Sequence, residues 1–146
     1  MDNDLPFEIT ARVRDTCLCL FLQRAARAVA RRFDDALRPL NLTSGQFSLL
    51  MALNRPHPPV LGEVAALLAM DRTTLTANLK PLARRKLIRV SVDRADRRSR
   101  RLALTPAGRR LLVRAVPKWR RTHAAIERLL AGSSPERLRA DLRALS

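Results

Sequence analysis

Residues 61–105 read LGEVAALLAMDRTTLTANLKPLARRKLIRVSVDRADRRSRRLALT, and they break into four short pieces, each with its own pattern. Leu61–Ala69 is apolar-rich and short, and Met70-Asp71 connects it to a second helical run, Arg72 to about Lys86. Asp71 is an N-cap residue by type, able to take up the first free amide protons of that run. Pro81 falls inside it and should bend or weaken a helix, yet Leu75, Leu79 and Leu82 keep helical spacing, so the helix is retained. Leu87–Val92 is a β-type run, Asp93–Ser99 a polar turn, and Arg100–Leu104 a second short strand, which together predict a hairpin.

Two short helices across a tight connection are the ingredients of a helix-turn-helix, whose second helix offers its N-terminal residues to base edges in the major groove. Here that helix begins Asp71-Arg72-Thr73-Thr74-Leu75-Thr76. Arg72 can reach guanine or phosphate, and the hydroxyls and methyls of Thr73, Thr74 and Thr76 suit bases and backbone. Lys80 is placed for a phosphate further along. The same residues would equally serve an ordinary capped helix in a small bundle. The hairpin weighs against that: Arg94, Arg97, Arg98 and Arg100 crowd its turn, and a thin arginine-tipped ribbon fits the negative potential of a narrow minor groove. Asp93 and Asp96 are expected to pair with neighbouring arginines and hold the shape of the turn.

Outward from this segment the elements lengthen. Val13, Cys17, Leu20, Phe21, Ala25, Ala28, Val29, Phe33 and Leu37 recur at three- and four-residue steps, predicting one helix over 10–38 ended by Pro39. Thr43 or Ser44 caps a helix to about Asn54, and the proline-rich 55–59 is a loop. Thr105-Pro106 opens a second long helix, with a kink expected at Pro117. Gly132–Pro135 breaks it, and Glu136–Leu145 is a final amphipathic helix. The fold class is therefore mainly α with a small β-hairpin. Residues 1–146 form a single domain, with a winged helix-turn-helix lobe at 40–105 and flanking helices at 8–38 and 106–146. Those long helices carry more apolar surface than the small middle can cover, and a second copy of the chain is the simplest cover.

Charge points the same way. Twenty-nine Lys+Arg against 13 Asp+Glu give +16, a balance that suits a polyanionic partner, although arginine-rich coding alone can produce such a bias. Between Arg84 and Arg101, nine cations face only Asp93 and Asp96. Hydrophobic residues at 47% predict a folded chain, and aromatics at 3% with no tyrosine predict a Leu/Ala/Val core that suits helices. No run is long enough to span a membrane, and the acidic N-terminal residues lack a signal-peptide pattern, so a cytoplasmic location is expected.

Five stretches are familiar together: Leu42–Leu50 (LTSGQFSLL), Gly62–Ala65 (GEVA), Asp71–Thr76 (DRTTLT), Asp93–Arg98 (DRADRR) and Leu104–Gly108 (LTPAG). In this order they resemble the multiple-antibiotic-resistance-regulator (MarR) family of winged helix-turn-helix proteins over most of the chain. The resemblance implies a homodimer joined by the N- and C-terminal helices, a pseudo-palindromic duplex-DNA operator, and repression relieved by a small-molecule effector bound where the lobes meet. It also implies Arg98 in the minor groove and Thr73, Thr74 and Thr76 facing the major groove. Two positions depart from the family pattern. Ala77 stands where an arginine is usual, and Lys86 stands where glycine commonly ends the recognition helix, at a cost of roughly 1 kcal/mol for a left-handed C-cap.

By the same resemblance Cys19 falls where the organic-hydroperoxide-sensing branch places its reactive cysteine, eight residues before Arg27. Oxidation there would give a redox-sensing repressor. That branch surrounds its thiol with tyrosines, however, and this chain has none, Phe33 standing at one such position. The simpler expectation makes Cys17 and Cys19 core residues, too poorly placed on a continuous helix to bond one another. An effector cavity is expected among Cys19, Gln23, Phe47, Met51 and Trp119, and the many arginines would suit an anionic or acyl-thioester ligand. His57 and His123 show no zinc spacing with the cysteines, and no catalytic constellation or phosphate-cradling loop appears, so neither metal, cofactor nor enzyme activity is expected. A non-specific architectural DNA-binding protein and a cytosolic scaffold remain as alternatives.

Overall fold

The computed structural model describes residues 5–146 and contains seven α-helices and a two-stranded antiparallel sheet among them. In chain order these are α1 (Phe7–Thr16), α2 (Leu18–Leu37), α3 (Ser44–Ala52), α4 (Leu61–Leu67), α5 (Arg72–Arg84), β1 (Ile88–Val92), β2 (Arg100–Leu104), α6 (Pro106–Arg128) and α7 (Pro135–Ala144). The class is as expected, mainly helical with one hairpin.

The single helix expected over 10–38 is instead two. Cys17 takes an extended conformation, φ −70° and ψ 109°, and ends α1 while opening α2. The hydroxyl of Thr16 donates to the Arg12 carbonyl at 2.6 Å, a back-bond that competes with the backbone ladder in the last turn of α1. At the other end Pro39 does not stop the helix directly but sits in a 3-10 turn, Arg38–Leu40, closed by Asn41 in the left-handed region at φ 50°.

The capping chemistry is as the residue types suggest. Thr43 accepts from the Gln46 amide while the Gln46 side chain accepts from the Thr43 N–H, a reciprocal capping box that starts α3. Thr105 accepts from the Gly108 N–H at 3.1 Å, with Pro106 in the first turn of α6. The helix α6 runs on through Pro117. Gly108 is there for space: a Cβ would lie 2.2 Å from the Leu87 carbonyl oxygen, so the root of the hairpin sits directly on α6.

One core holds these elements together. Leu37, Leu50, Val64, Leu75, Leu82 and Leu102 are its fully buried large side chains, drawn from α2, α3, α4, α5 and β2 in turn. Leu111, Leu112 and Ala115 close it from α6. The basic segment is thus carried on an apolar floor shared with both long helices. Burial of that kind is worth about 1.5–3 kcal/mol per large side chain, enough to fix the orientation of a small lobe. By contrast α1 and α7 bury no residue at all.

Candidate nucleic-acid interface

The start of α5 is fixed by Asp71. Its Oδ1 accepts from the Thr74 N–H at 2.8 Å and its Oδ2 from the Thr74 hydroxyl at 2.7 Å. Those two bonds, the backbone one first, hold the Asp71 carboxyl below the usual carboxylate range. Leu75, Leu79 and Leu82 are buried, which leaves Arg72, Thr73, Thr74, Thr76, Ala77 and Lys80 exposed. Thr76 donates its hydroxyl to the Arg72 carbonyl at 2.7 Å. The Arg72 guanidinium folds back over α4, with Nη2 3.0 Å from where a Cβ on Gly62 would stand.

The far end of α5 is tied as firmly. Lys86 adopts φ 57°, the left-handed C-cap expected at that position, and so bears the strain that glycine would avoid. Arg85 donates through Nη1 to the Asn41 carbonyl at 2.6 Å, linking the end of α5 to the turn after α2.

The hairpin pairs Ile88 with Leu104 through to Val92 with Arg100. A short bridge between Val60 and Arg101 attaches the preceding loop to its edge, as in a small three-stranded wing. Inside the turn, Asp93 N–H donates to the Ser99 carbonyl and Asp96 N–H to the Asp93 carboxylate. Asp93 pairs with an arginine as expected, and the arginine is Arg101, Nε to Oδ1 at 2.9 Å. Asp96 does not follow that expectation: its carboxylate accepts the backbone N–H of Arg98 at 3.0 Å. Geometry explains the difference, because Asp96 lies at the tip of the turn and meets the backbone that curls past it.

The four arginines singled out on the wing are all exposed. Arg100 curls back, donating to the carbonyls of Arg97 and Ser99 at 3.3 Å each. The guanidinium groups of Arg94, Arg97 and Arg98 make no hydrogen bond among the described residues, so their donors are available to an anion. Arg101 was not a candidate from the sequence, yet it anchors the wing, and its pairing becomes visible only once the hairpin register is known. Gly62 was missed for the same reason, since its neighbour Arg72 is ten residues away.

The expected effector cavity divides in two. Phe47, Met51 and Trp119 line a cavity of about 560 Å³ between α3, α4 and α6, together with Leu67, Leu68 and Arg120. Phe47 and Trp119 stack at 6.4 Å, and Trp119 and His123 at 4.7 Å. Cys19 and Gln23 do not reach it. They lie in the exposed first half of α2, where Gln23 Nε2 donates to Cys19 Sγ at 3.3 Å. Nor are the cysteines core residues in the single chain, Cys17 being half-buried and Cys19 exposed. Both lie at the start of α2, far from the end where Leu37 enters the core, and the break at Cys17 replaces the continuous helix expected there.

A helix-turn-helix followed by an arginine-tipped wing defines a winged-helix DNA-binding protein, and the comparisons agree. Residues 42–108 match a family model described as a winged helix DNA-binding domain. The transcriptional regulator MosR of M. tuberculosis, solved in complex with DNA, is 40% identical; the superposition covers 89% of this chain and 93% of that one with a TM-score of 0.81. BpsR of Bordetella bronchiseptica, whose DNA binding is regulated by 6-hydroxynicotinic acid, is 30% identical over 89% of this chain and 96% of its own, with a TM-score of 0.71. The HTH-type transcriptional regulator TtmR of Methylorubrum extorquens is 33% identical over 97 residues, 66% of this chain but only half of its own length. The chain belongs to the MarR family, and it is a DNA-binding transcriptional regulator of that type.

Proposed function

We propose that the protein is a homodimeric, sequence-specific repressor that a small effector releases from DNA. The observation that carries this reading is the joint exposure of the α5 start and of the Arg94, Arg97 and Arg98 guanidinium groups, while the acidic residues beside them are occupied within the fold. Thr73 then faces the major groove at the start of α5, Lys80 a phosphate, and Arg98 the minor groove. Arg100 steadies the turn.

Dimerisation is supported by the unburied terminal helices. Leu5, Phe7, Ile9, Val13 and Leu18 near one end and Leu138, Leu142 and Leu145 near the other are exposed, Phe7 at 70%. An apolar surface of that extent calls for a partner, and a two-fold copy supplies matching faces. Residues 8–38 and 106–146 are the dimerisation helices in this reading, and 40–105 the DNA-binding lobe. The operator is a pseudo-palindrome, and the protein works in the cytoplasm with its DNA.

The cavity lined by Phe47, Met51 and Trp119 suits a flat apolar ligand, and Arg120 at its edge suits a carboxylate. An aromatic acid meets both. The test of the whole reading is competition: labelled DNA from beside the protein's own gene should be displaced by the same duplex at a concentration at least ~10³ lower than by a scrambled one. Equal displacement would favour a charge-driven architectural protein instead, and absence of binding at physiological salt would favour a scaffold.

A second reading has its own observation. Cys19 is exposed beside the helix break at Cys17 and accepts an N–H from Gln23. A hydroperoxide could oxidise its thiolate to a sulfenic acid, the peroxide being reduced to an alcohol, and so shift the helices that set the spacing of the DNA-binding lobes. Cys19→Ser decides the matter: operator release by peroxide is lost if this thiol senses, and is unchanged if it does not.

A further inference from the structure

The exposed residues at the start of α5 do not have equivalent chemistry. A helix turns about 100° per residue, so Thr73, Ala77 and Lys80 fall opposite the buried Leu75, Leu79 and Leu82, in the row that faces outward. Arg72 falls on the flank toward α4. There its guanidinium rests on Gly62, Nη2 3.0 Å and Cζ 3.7 Å from the position of a Cβ. Gly62 has no left-handed backbone to explain it, because no glycine in the described chain has positive φ. A Cβ in this first turn of α4 would press on the tip of Arg72 and shift its guanidinium from the seat it holds.

The threonines differ too. A hydroxyl carries one proton, and Thr74 gives its own to Asp71 Oδ2 while Thr76 gives its own to the Arg72 carbonyl, each at 2.7 Å. Thr73 makes no side-chain hydrogen bond among the described residues. Its hydroxyl alone can both donate and accept toward a base edge. The neighbouring Ala77 offers a methyl, which meets a thymine methyl well and no hydrogen-bonding group.

Resting on the reading of the protein as a sequence-specific regulator, we propose a division of labour on α5: Gly62 seats Arg72 to hold a phosphate, and base selection falls to Thr73 and Ala77. Thr74 and Thr76 serve the helix itself. Gly62 is accordingly a positioning residue, one that acts on DNA only through Arg72.

Selection of bound sequences from a duplex pool randomised across the half-sites, combined with salt titration, tests this with the 146-residue protein. Thr73→Val should change the preferred base at one position per half-site, by roughly 5- to 150-fold. Thr76→Val should leave every base preference as it is, and Thr74→Val likewise, with circular dichroism confirming that each is folded. Arg72→Ala should weaken cognate and scrambled duplexes by the same factor and lower the log–log salt slope by about two, one phosphate per protomer. Gly62→Ala should lower that slope in the same direction and add nothing further in the Arg72→Ala background. A changed base preference in Thr76→Val, or one in Arg72→Ala with the salt slope intact, overturns the assignment. Wild-type protein that enriches no sequence at all overturns the underlying regulator reading instead.

Discussion

Asp93 and Arg101 meet where the strands enter the turn of the wing, Nε to Oδ1 at 2.9 Å, and the same guanidinium reaches the Pro58 carbonyl at 2.6 Å. Asp93 is the one buried charged residue of the described chain, 6% exposed, and Arg101 is half-exposed beside it. The pair therefore does two things: it closes the charged turn, and it fastens the turn to the loop before α4. An arginine in the middle of the basic stretch is here a fixture of the fold, which leaves the exposed Arg94, Arg97 and Arg98 for the proposed contact with DNA.

Acid should loosen this fastening. The Arg101 hydrogen bond, more than any other cause, holds the Asp93 carboxyl below its ordinary value. A carboxyl depressed on folding stabilises fully above its unfolded range, and that contribution fades as pH falls through the depressed value. Asp93→Asn should therefore lower the thermal midpoint at neutral pH, with the gap to wild type closing on acidification. A gap that stays constant to low pH would contradict the pairing.

Arg98→Ala should weaken operator binding by about 1.5–3 kcal/mol, the range for a hydrogen bond to a charged group. Its backbone N–H is held by Asp96, so the turn itself should survive, and far-UV circular dichroism and sedimentation should match wild type. Unchanged affinity would remove Arg98 from the interface.

Gly108→Ala should destabilise the fold by about 1–3 kcal/mol, as overpacking of a tight site does. The added carbon would meet the Leu87 carbonyl at 2.2 Å and a methyl of Leu104 at 2.8 Å. Urea unfolding measures it, and an unshifted midpoint would mean that α6 and the hairpin root are not in such close contact.

The chain has a single tryptophan, and Trp119 lines the cavity. Its fluorescence should change on titration with a benzoate-class acid, and Arg120→Ala should weaken that binding about tenfold, equivalent to 1.4 kcal/mol. A response of equal strength in Arg120→Ala would take the carboxylate away from that side chain.

Much of this fold is legible in the sequence, for physical reasons. Caps are local, so Asp71 and Thr105 mark two helix starts, and Thr43 or Ser44 a third that the structure gives to Thr43. The apolar spacing of Leu75, Leu79 and Leu82 outweighed Pro81, and α5 does run through it. The break at Cys17 is not legible in the sequence, because the apolar period continues across it and no proline or glycine marks it. The distribution of the cavity residues also escaped, since helix periodicity gives a face but not which neighbour that face meets. Cys19 shares a helix with the core residue Leu37 yet lies too far toward its exposed end. Contacts between residues far apart in the chain, such as Arg85 with Asn41 and Arg101 with Pro58, belong to the assembled fold alone.

If α5 and the wing of two protomers read one DNA sequence together, a footprint on the DNA adjoining the protein's own gene will show it. A single protected pseudo-palindrome is expected, with half-sites about one helical turn apart, centre to centre. Uniform protection along the fragment, at every protein concentration that binds, would contradict it.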